Sequence, residues 1–145
     1  MEYIARLSWK RQTADFAYNS YNRSHVVTTG GGEALPMSAA PEFKGEAARA
    51  NPEELLVAAL SSCHMLTFLA IAARKRLVVD AYQDDAVGVM TKNAEGKLFV
   101  SHVTLRPRVS FAEPPPPGVL QQLHHQAHAD CFIANSVRTE VTVEG

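Results

Sequence analysis

Two cysteines, Cys63 and Cys131, are the residues best suited to carry out chemistry in this 145-residue chain. Where thiols are kept reduced, two cysteines indicate a redox pair, a metal site or two buried thiols that only fill space. Redox work requires a thiol that ionises near neutral pH, which needs a neighbouring cation or hydrogen-bond donors. Arg23 and Arg49 lie outside the predicted helix ends, so each is either that cation or a plain surface charge.

A metal site is one alternative that the spacing leaves open. His124, His128 and Cys131 are separated by four and three residues, so one helix face can carry all three. Cys63 or His64 could complete a tetrahedral set of ligands. Neither cysteine belongs to a CxxC pair, and histidine-rich helix surfaces also occur without metals. The spacing does not decide between a metal site, a redox pair and buried thiols.

The element that must position Cys63 is a long apolar helix. Asn51 is a favourable N-cap, Pro52 suits the first helical position, and Glu53 and Glu54 place acids in the first turn. The residues from 55 to 73 are apolar nearly all round, which fits either a membrane span or the central helix of a core. Because four polar residues interrupt the run and other segments need a surface to pack on, we predict a core helix.

The other elements surround this helix in the order strands, helix, strands, helix, strand. Alternating residues predict strands within residues 1–30, including a run over 16–29, and again over 81–92, 97–111 and 137–144. Residues 30–32 and 93–96 predict turns. Apolar residues at every fourth position from Val119 to Cys131 predict a second helix with Cys131 on its buried face. The order predicts a single α+β domain over residues 1–145.

Composition and charge exclude several classes of function. The net charge is −1 and no block of like charges occurs, which argues against nucleic-acid binding and a polybasic membrane anchor. The glycines at 30–32 lack the lysine and spacing of a phosphate-binding loop. The first residues do not resemble a signal peptide, so we expect a cytoplasmic protein without a cofactor.

Three motifs resemble the OsmC/Ohr family, the osmotically inducible and organic hydroperoxide resistance proteins. They are NPEELLVAALSSCH at residues 51–64, AHADC at residues 127–131 followed by an alternating strand, and YNRSH at residues 21–25 before a glycine-rich turn. The organic hydroperoxide branch has an aromatic residue after the first cysteine and a proline after the second. Because His64 and Phe132 stand there, the chain is more similar to the OsmC-like branch.

The resemblance implies antiparallel sheets around a long buried central helix, in an intertwined homodimer. It implies a peroxidase in which Cys63 attacks an organic hydroperoxide and Cys131 resolves the product as a disulfide. A dithiol, such as that of a lipoyl protein, then restores both thiols. Glu53 matches the acid of the family motif, and Arg23, with Arg49 in reserve, matches the arginine that pairs with the thiolate. The alternatives are a binding or stress protein of this fold with little turnover, and the metal-binding protein described above.

One geometric constraint applies to this implied site. Glu53 and Cys63 are ten residues apart, which is roughly 15 Å of rise in a regular helix. Their side chains therefore cannot touch within that helix. If both serve one site, they come from different subunits or Arg23 spans the distance, so we expect catalysis to require dimerisation.

Overall fold

The computed structural model describes all residues, 1–145, as eight strands and two α-helices. The chain forms two compact units, Met1–Leu55 and Leu56–Gly145. No peptide bond is cis. The two units are described separately below.

The first unit contains one antiparallel sheet of three strands. They are β1 (Ala5–Ser8), β2 (His25–Thr29) and β3 (Ala34–Met37), in the order β1-β2-β3. The predicted turn joins β2 to β3, and Gly32 adopts a φ of +92° there, which suits glycine. The unit also includes a short 3₁₀ turn at Pro41–Phe43.

The predicted strand over residues 16–29 is wrong in its first part, because only His25–Thr29 is a strand. Residues 9–24 form a loop that is held by side chains instead. The Asn22 side chain accepts a hydrogen bond from the Gln12 amide at 2.8 Å and donates to the Lys10 carbonyl at 3.0 Å, and the Trp9 indole donates to the Asn22 carbonyl at 2.8 Å. These bonds satisfy backbone groups that a sheet ladder would otherwise use. Alternation in the sequence could not reveal this competition.

Gly45 is required where the loop after β3 folds back on itself. A Cβ atom at this position would lie 1.6 Å from the carbonyl oxygen of Ala39. The close approach is fixed by the Gly45 amide, which donates to the Ala40 carbonyl at 3.1 Å, and by the Glu46 amide, which donates to the buried Ser38 hydroxyl at 3.1 Å. Any side chain at position 45 would therefore collide with the backbone of Ala39.

We expect Gly45→Ala to lower the free energy of unfolding by about 1–3 kcal/mol, because the added methyl forces a backbone shift. Urea denaturation measures this loss. Gly31→Ala is the matched control, since a Cβ there meets no atom within 4 Å and its φ is not positive, so its effect should stay within about 0.5 kcal/mol. Equal stabilities of the two variants would contradict the steric argument.

The helix that carries Cys63 is α1, which spans Pro52–Arg74. It begins as predicted: the Asn51 side chain accepts a hydrogen bond from the Glu54 amide at 2.9 Å, and the Glu54 carboxylate accepts one from the Asn51 amide at 3.3 Å. This reciprocal pair is a capping box, which satisfies two donors at the helix start.

The predicted core helix is only partly buried in the single chain. Its buried residues are Leu60, His64, Phe68, Ile71 and Ala72, and only 28% of its most apolar segment is buried. By length and composition alone, α1 could also cross a membrane, a test that core helices of other proteins pass as well. Much of the apolar surface of α1 therefore remains uncovered.

The second unit contains two small sheets. β4 (Val79–Asp84) pairs antiparallel with β7 (Pro107–Phe111), and a second sheet has the order β5 (Val87–Lys92), β6 (Leu98–Leu105), β8 (Glu140–Val143). The turn predicted at residues 93–96 joins β5 to β6, with Gly96 at a φ of +78°. Each predicted strand of residues 81–92 and 97–111 is thus two strands in different sheets.

The switch between sheets occurs where Asp84 and Arg106 meet. The carboxylate of Asp84 accepts hydrogen bonds from the Ser61 hydroxyl at 2.5 Å and from the Arg106 amide at 2.6 Å. These hydrogen bonds lie where β4 and β6 both end, and β7 begins at Pro107. β6 and β8 are parallel, so the expectation of antiparallel sheets is correct for every strand pair except this one.

The second helix, α2 (Val119–Asp130), packs against the C-terminal half of α1. Phe68, Ile71 and Ala72 of α1 form one core cluster with Leu123 and Ala127 of α2. A second cluster contains Leu60, Val103 and Leu105. The predicted helix is confirmed except for its last residue, because Cys131 follows the helix rather than ending it.

Candidate functional site

The structure brings the two cysteines together. Cys63 lies in the middle of α1 and is half-buried, whereas Cys131 lies directly after α2 and is only 1% exposed. Both are free thiols, and they lie close enough for each to shift the pKa of the other. Sixty-eight residues of sequence separate them, so only the packing of α2 on α1 creates this pair.

The turn after α2 surrounds both sulfur atoms with backbone amides. The Ala134 amide donates to Cys131 Sγ at 3.4 Å, and the amides of Phe132 and Ile133 point toward Cys63. Asn135 holds this turn in place, because its side-chain amide donates to the carbonyls of Ala129 at 3.0 Å and Cys131 at 2.9 Å. The sequence analysis missed both Asn135 and the turn, although an asparagine shortly after a helix is a recognisable capping signal.

The two thiols have opposite pKa shifts. Burial raises the pKa of Cys63, but hydrogen bonds from the Ile133 amide, the Cys131 thiol and the Phe132 amide outweigh it and hold the pKa below its ordinary value. Burial raises the pKa of Cys131, the Ala134 amide lowers it by less, and the neighbouring Cys63 raises it again, so that the pKa lies above its ordinary value. Near neutral pH, Cys63 is therefore the better nucleophile and Cys131 retains its proton.

Cys63 also has access to an outside reactant. It lines a cavity of about 340 Å³ whose other walls are formed by Leu66, Thr67, Ala70, Ile71, Arg74, Asp130 and Phe132. Thr67 forms part of one wall, and its hydroxyl donates a hydrogen bond to the Cys63 carbonyl at 2.8 Å. Cys131 does not line the cavity. A reactant in this cavity would meet Cys63 first.

Arg23 and Glu53 lie in the first unit, and no salt bridge joins them. The guanidinium of Arg23 lies 3.7 Å from the centre of the Tyr21 ring and donates to the Tyr21 carbonyl at 2.6 Å and to the Tyr18 carbonyl. One carboxylate oxygen of Glu53 is buried without a hydrogen-bond partner. Arg49, the reserve choice, pairs with Glu46 at 2.8 Å.

The residues considered for a metal separate into two pairs. His64 Nε2 and His124 Nδ1 are hydrogen-bonded at 3.0 Å, with nearly parallel rings, whereas Cys131 adjoins Cys63. No group of three or more His, Cys, Asp and Glu side chains is arranged to hold a metal ion. The geometry gives the metal alternative no support.

The histidine pair is neutral in the folded protein. Burial, together with His124 and His128, lowers the pKa of His64 to about 4, against an opposing influence of Asp84. Burial likewise lowers the pKa of His124. His64 Nδ1 and His124 Nε2 are buried without partners, so a proton added to either ring finds no acceptor. The pair belongs to the packing of α2 on α1.

We expect this pair to make stability depend on pH between about 6.5 and 4. In that window the unfolded chain binds protons that the folded chain does not, so stability is full above 6.5 and falls as the pH decreases, by up to about 3 kcal/mol. Urea denaturation at several pH values measures the loss. His64→Gln should flatten the dependence, and the exposed His125→Gln should not. Equal pH profiles for both variants would contradict this origin.

The fold and the thiol pair define a class of protein: a mixed α/β protein with one cysteine on a long helix and a second cysteine beside it. The sequence profile described as OsmC-like protein matches residues 44–144. The chain therefore belongs to the OsmC-like protein family.

Solved structures share this fold over nearly the whole chain. An OsmC-like protein of unknown function from Vibrio cholerae is 45% identical, with a TM-score of 0.91 over 99% of this chain and 98% of its own. An organic hydroperoxide resistance protein from Legionella pneumophila is 20% identical, with a TM-score of 0.72 over 99% and 94% of the two chains. The resemblance to the family drawn from the sequence motifs is confirmed.

Two proteins of Bacillus subtilis are also similar. The organic hydroperoxide resistance protein OhrB has a TM-score of 0.67 at 19% identity, over 97% of this chain and 96% of its own. The uncharacterised protein YmaD is 24% identical over 127 residues, which are 85% of this chain and 84% of YmaD. The family thus includes hydroperoxide resistance proteins, and at these identities the likeness to OhrB and to the Legionella protein shows the fold alone.

Proposed function

We propose that this protein is a thiol-dependent peroxidase that reduces organic hydroperoxides to alcohols. The observation that carries the proposal is the adjacent thiol pair with opposite pKa shifts: the ionisable Cys63 faces a cavity, and the protonated Cys131 is buried behind it. A peroxidase of the two-cysteine type needs this division of roles, because one thiol must attack the peroxide and the other must react only with the sulfenic acid that results.

The proposed reaction has three steps. The Cys63 thiolate attacks the distal oxygen of the hydroperoxide, the O–O bond breaks, and the alkoxide takes a proton and leaves as an alcohol. Cys63 is then a sulfenic acid. The Cys131 sulfur displaces its hydroxyl as water and forms a disulfide, which prevents further oxidation. An external dithiol, such as dihydrolipoamide, reduces the disulfide by exchange and is itself oxidised to a disulfide.

The surroundings of Cys63 favour organic over inorganic peroxides. Leu66, Ala70, Ile71 and Phe132 give the cavity walls an apolar character. Apolar walls stabilise an organic group by removing its surface from water, by about 25 cal/mol per Å². Hydrogen peroxide has no such surface and gains nothing from these walls.

We expect one equivalent of cumene hydroperoxide to convert the reduced protein to a form that has lost two hydrogen atoms per chain, because both thiols end in one disulfide. Intact-mass spectrometry measures this change. Cys63→Ser should consume no peroxide, whereas Cys131→Ser should form a sulfenic acid with the first equivalent and a sulfinic acid when a second equivalent is added. An unchanged mass in the wild type would favour the second candidate, a binding or stress protein of this fold with little turnover.

We also propose that two copies of the chain form the active enzyme. Large apolar side chains remain exposed in both units, including Leu7 at 70%, Leu66 at 60% and Phe132 at 80%. Large exposed apolar side chains of this kind are typical of protein–protein interfaces. The uncovered surface of α1 supports the same conclusion. A monomer in sedimentation equilibrium that retains full activity would contradict this proposal.

Within such a dimer, we propose that Arg23 and Glu53 complete the site. Arg23 would leave its backbone acceptors and donate charge-assisted hydrogen bonds to the Cys63 thiolate, and the unpartnered oxygen of Glu53 would accept from the guanidinium. We place the enzyme in the cytoplasm, where dithiol reductants are abundant. Cell fractionation tests this location.

We expect the wild-type Cys63 to react with iodoacetamide with a pH midpoint below that of an ordinary cysteine, because the turn amides favour its thiolate. Arg23→Met should move the midpoint upward if Arg23 adds to this effect. Arg6→Met is the matched control, since Arg6 is exposed in the same unit and makes no ion pair. Identical midpoints in the two variants would remove Arg23 from the site.

A further inference from the structure

Three consecutive peptide groups follow Cys131, and their N–H groups are directed at sulfur atoms. The amides of Phe132 and Ile133 point toward Cys63. The next amide, that of Ala134, donates to Cys131 Sγ at 3.4 Å. Backbone N–H groups that converge on one sulfur atom favour its anionic form. The residues that fix the direction of these amides therefore influence the reactivity of the thiol pair.

The direction of each amide is set by the carbonyl of the same peptide group. Every peptide bond in the chain is trans. A trans peptide group is planar, so its C=O and its N–H point in opposite directions. A donor that binds the carbonyl on one side of the turn therefore aims the N–H at the other side, where the sulfur atoms lie.

Asn135 holds the first of these carbonyls. Its side-chain amide donates to the Cys131 carbonyl at 2.9 Å, and its backbone amide donates to the same oxygen at 3.0 Å. The N–H of this peptide group belongs to Phe132, and it points toward Cys63. The Asn135 side chain also donates to the Ala129 carbonyl at 3.0 Å, which ties the turn to the last part of α2.

Ser136 holds the next two carbonyls. Its hydroxyl donates to the Phe132 carbonyl at 2.7 Å, and its backbone amide donates to the Ile133 carbonyl at 2.9 Å. The N–H groups at the opposite ends of these two peptide groups are those of Ile133 and Ala134. They are the amides that point toward the two sulfur atoms.

The end of α2 would otherwise be an unfavourable neighbour for a thiolate. The last carbonyls of a helix carry a partial negative charge, which repels a nearby anion. Cys63 lies beside Cys131, directly after this helix end. Because Asn135 donates to the Ala129 and Cys131 carbonyls, it reduces the negative charge that a thiolate at Cys63 would meet.

We propose that Asn135 and Ser136 are positioning residues of the Cys63 site, because their hydrogen bonds to three consecutive carbonyls keep the opposite amides directed at the sulfur atoms. Neither residue lines the cavity at Cys63, so both act through the turn and not on the peroxide. This inference rests on the proposed peroxidase function for its place in the reaction. The reactivity of Cys63 itself can be measured without a peroxide.

The test follows the alkylation of Cys63 by iodoacetamide as a function of pH, with the modified peptide quantified by mass spectrometry. We expect Asn135→Ala and Ser136→Ala each to raise the pH midpoint by about 0.5–1 unit, since each loosens about one hydrogen bond to the thiolate. At a pH below both midpoints, the rate should fall by about three- to tenfold. The plateau rate at high pH should not fall.

The plateau distinguishes a positioning role from a loss of structure. A disordered site would change the rate at every pH, whereas a misdirected amide changes only the midpoint. Both residues are exposed, so their truncation leaves no cavity in the core. Arg74 and Asp130, the charged residues that line the Cys63 cavity, are the same in every variant and do not contribute to a difference in midpoint.

Two further variants are the controls. Asn93→Ala removes an exposed asparagine of the same unit, whose side chain accepts hydrogen bonds from the Glu95 and Lys97 amides in the turn between β5 and β6. It should keep the wild-type midpoint. Ser136→Thr retains the hydroxyl and should keep it as well. Wild-type midpoints in both Asn135→Ala and Ser136→Ala, or an equal shift in Asn93→Ala, would overturn the inference.

Cumene hydroperoxide separates failure of this inference from failure of the proposed function. If the wild type consumes cumene hydroperoxide and both alanine variants keep the wild-type midpoint, the positioning role fails and the peroxidase function stands. If the midpoints shift but the wild type consumes no peroxide, the peroxidase function fails, and Asn135 and Ser136 still position the amides at Cys63.

Discussion

The packing of α2 against the C-terminal half of α1 is the contact on which the candidate site depends. It buries Leu123 and Ala127 against Phe68, Ile71 and Ala72, and full burial of a large apolar side chain contributes about 1.5–3 kcal/mol. The same contact ends α2 beside Cys63. The turn that follows then directs its amides at the two sulfur atoms, so the core and the proposed chemistry share one interface.

This interface explains why the pKa of the half-buried Cys63 thiol is lowered. Burial alone would favour the protonated thiol, and in the second unit it is backbone amides that reverse the effect at Cys63. At Cys131 burial prevails. The turn after α2 therefore gives the two thiols different environments.

Much of the secondary structure could be predicted from local signals, since caps, turns and periodicity act within a few residues. The start of α1 at Asn51 and Pro52 and the turn at residues 93–96 are examples. The sheet boundaries could not be predicted, because the hydrogen bond from the Arg106 amide to the Asp84 carboxylate joins residues 22 positions apart. The loop over residues 9–24 was missed because Asn22 side-chain bonds replace a strand that alternation favoured.

The sequence by itself determined the family, the two helices and which two cysteines are candidates for the site, because motifs and helix caps depend on residues that are close together in the sequence. The tertiary structure alone decided that Cys63 and Cys131 meet, that His64 pairs with His124 rather than with a metal, and that Arg74 shares a cavity with Cys63. Each of these depends on contacts between segments or on the shape of a surface. These distances cannot be read from the sequence, because they arise only when the apolar faces of α1 and α2 pack together.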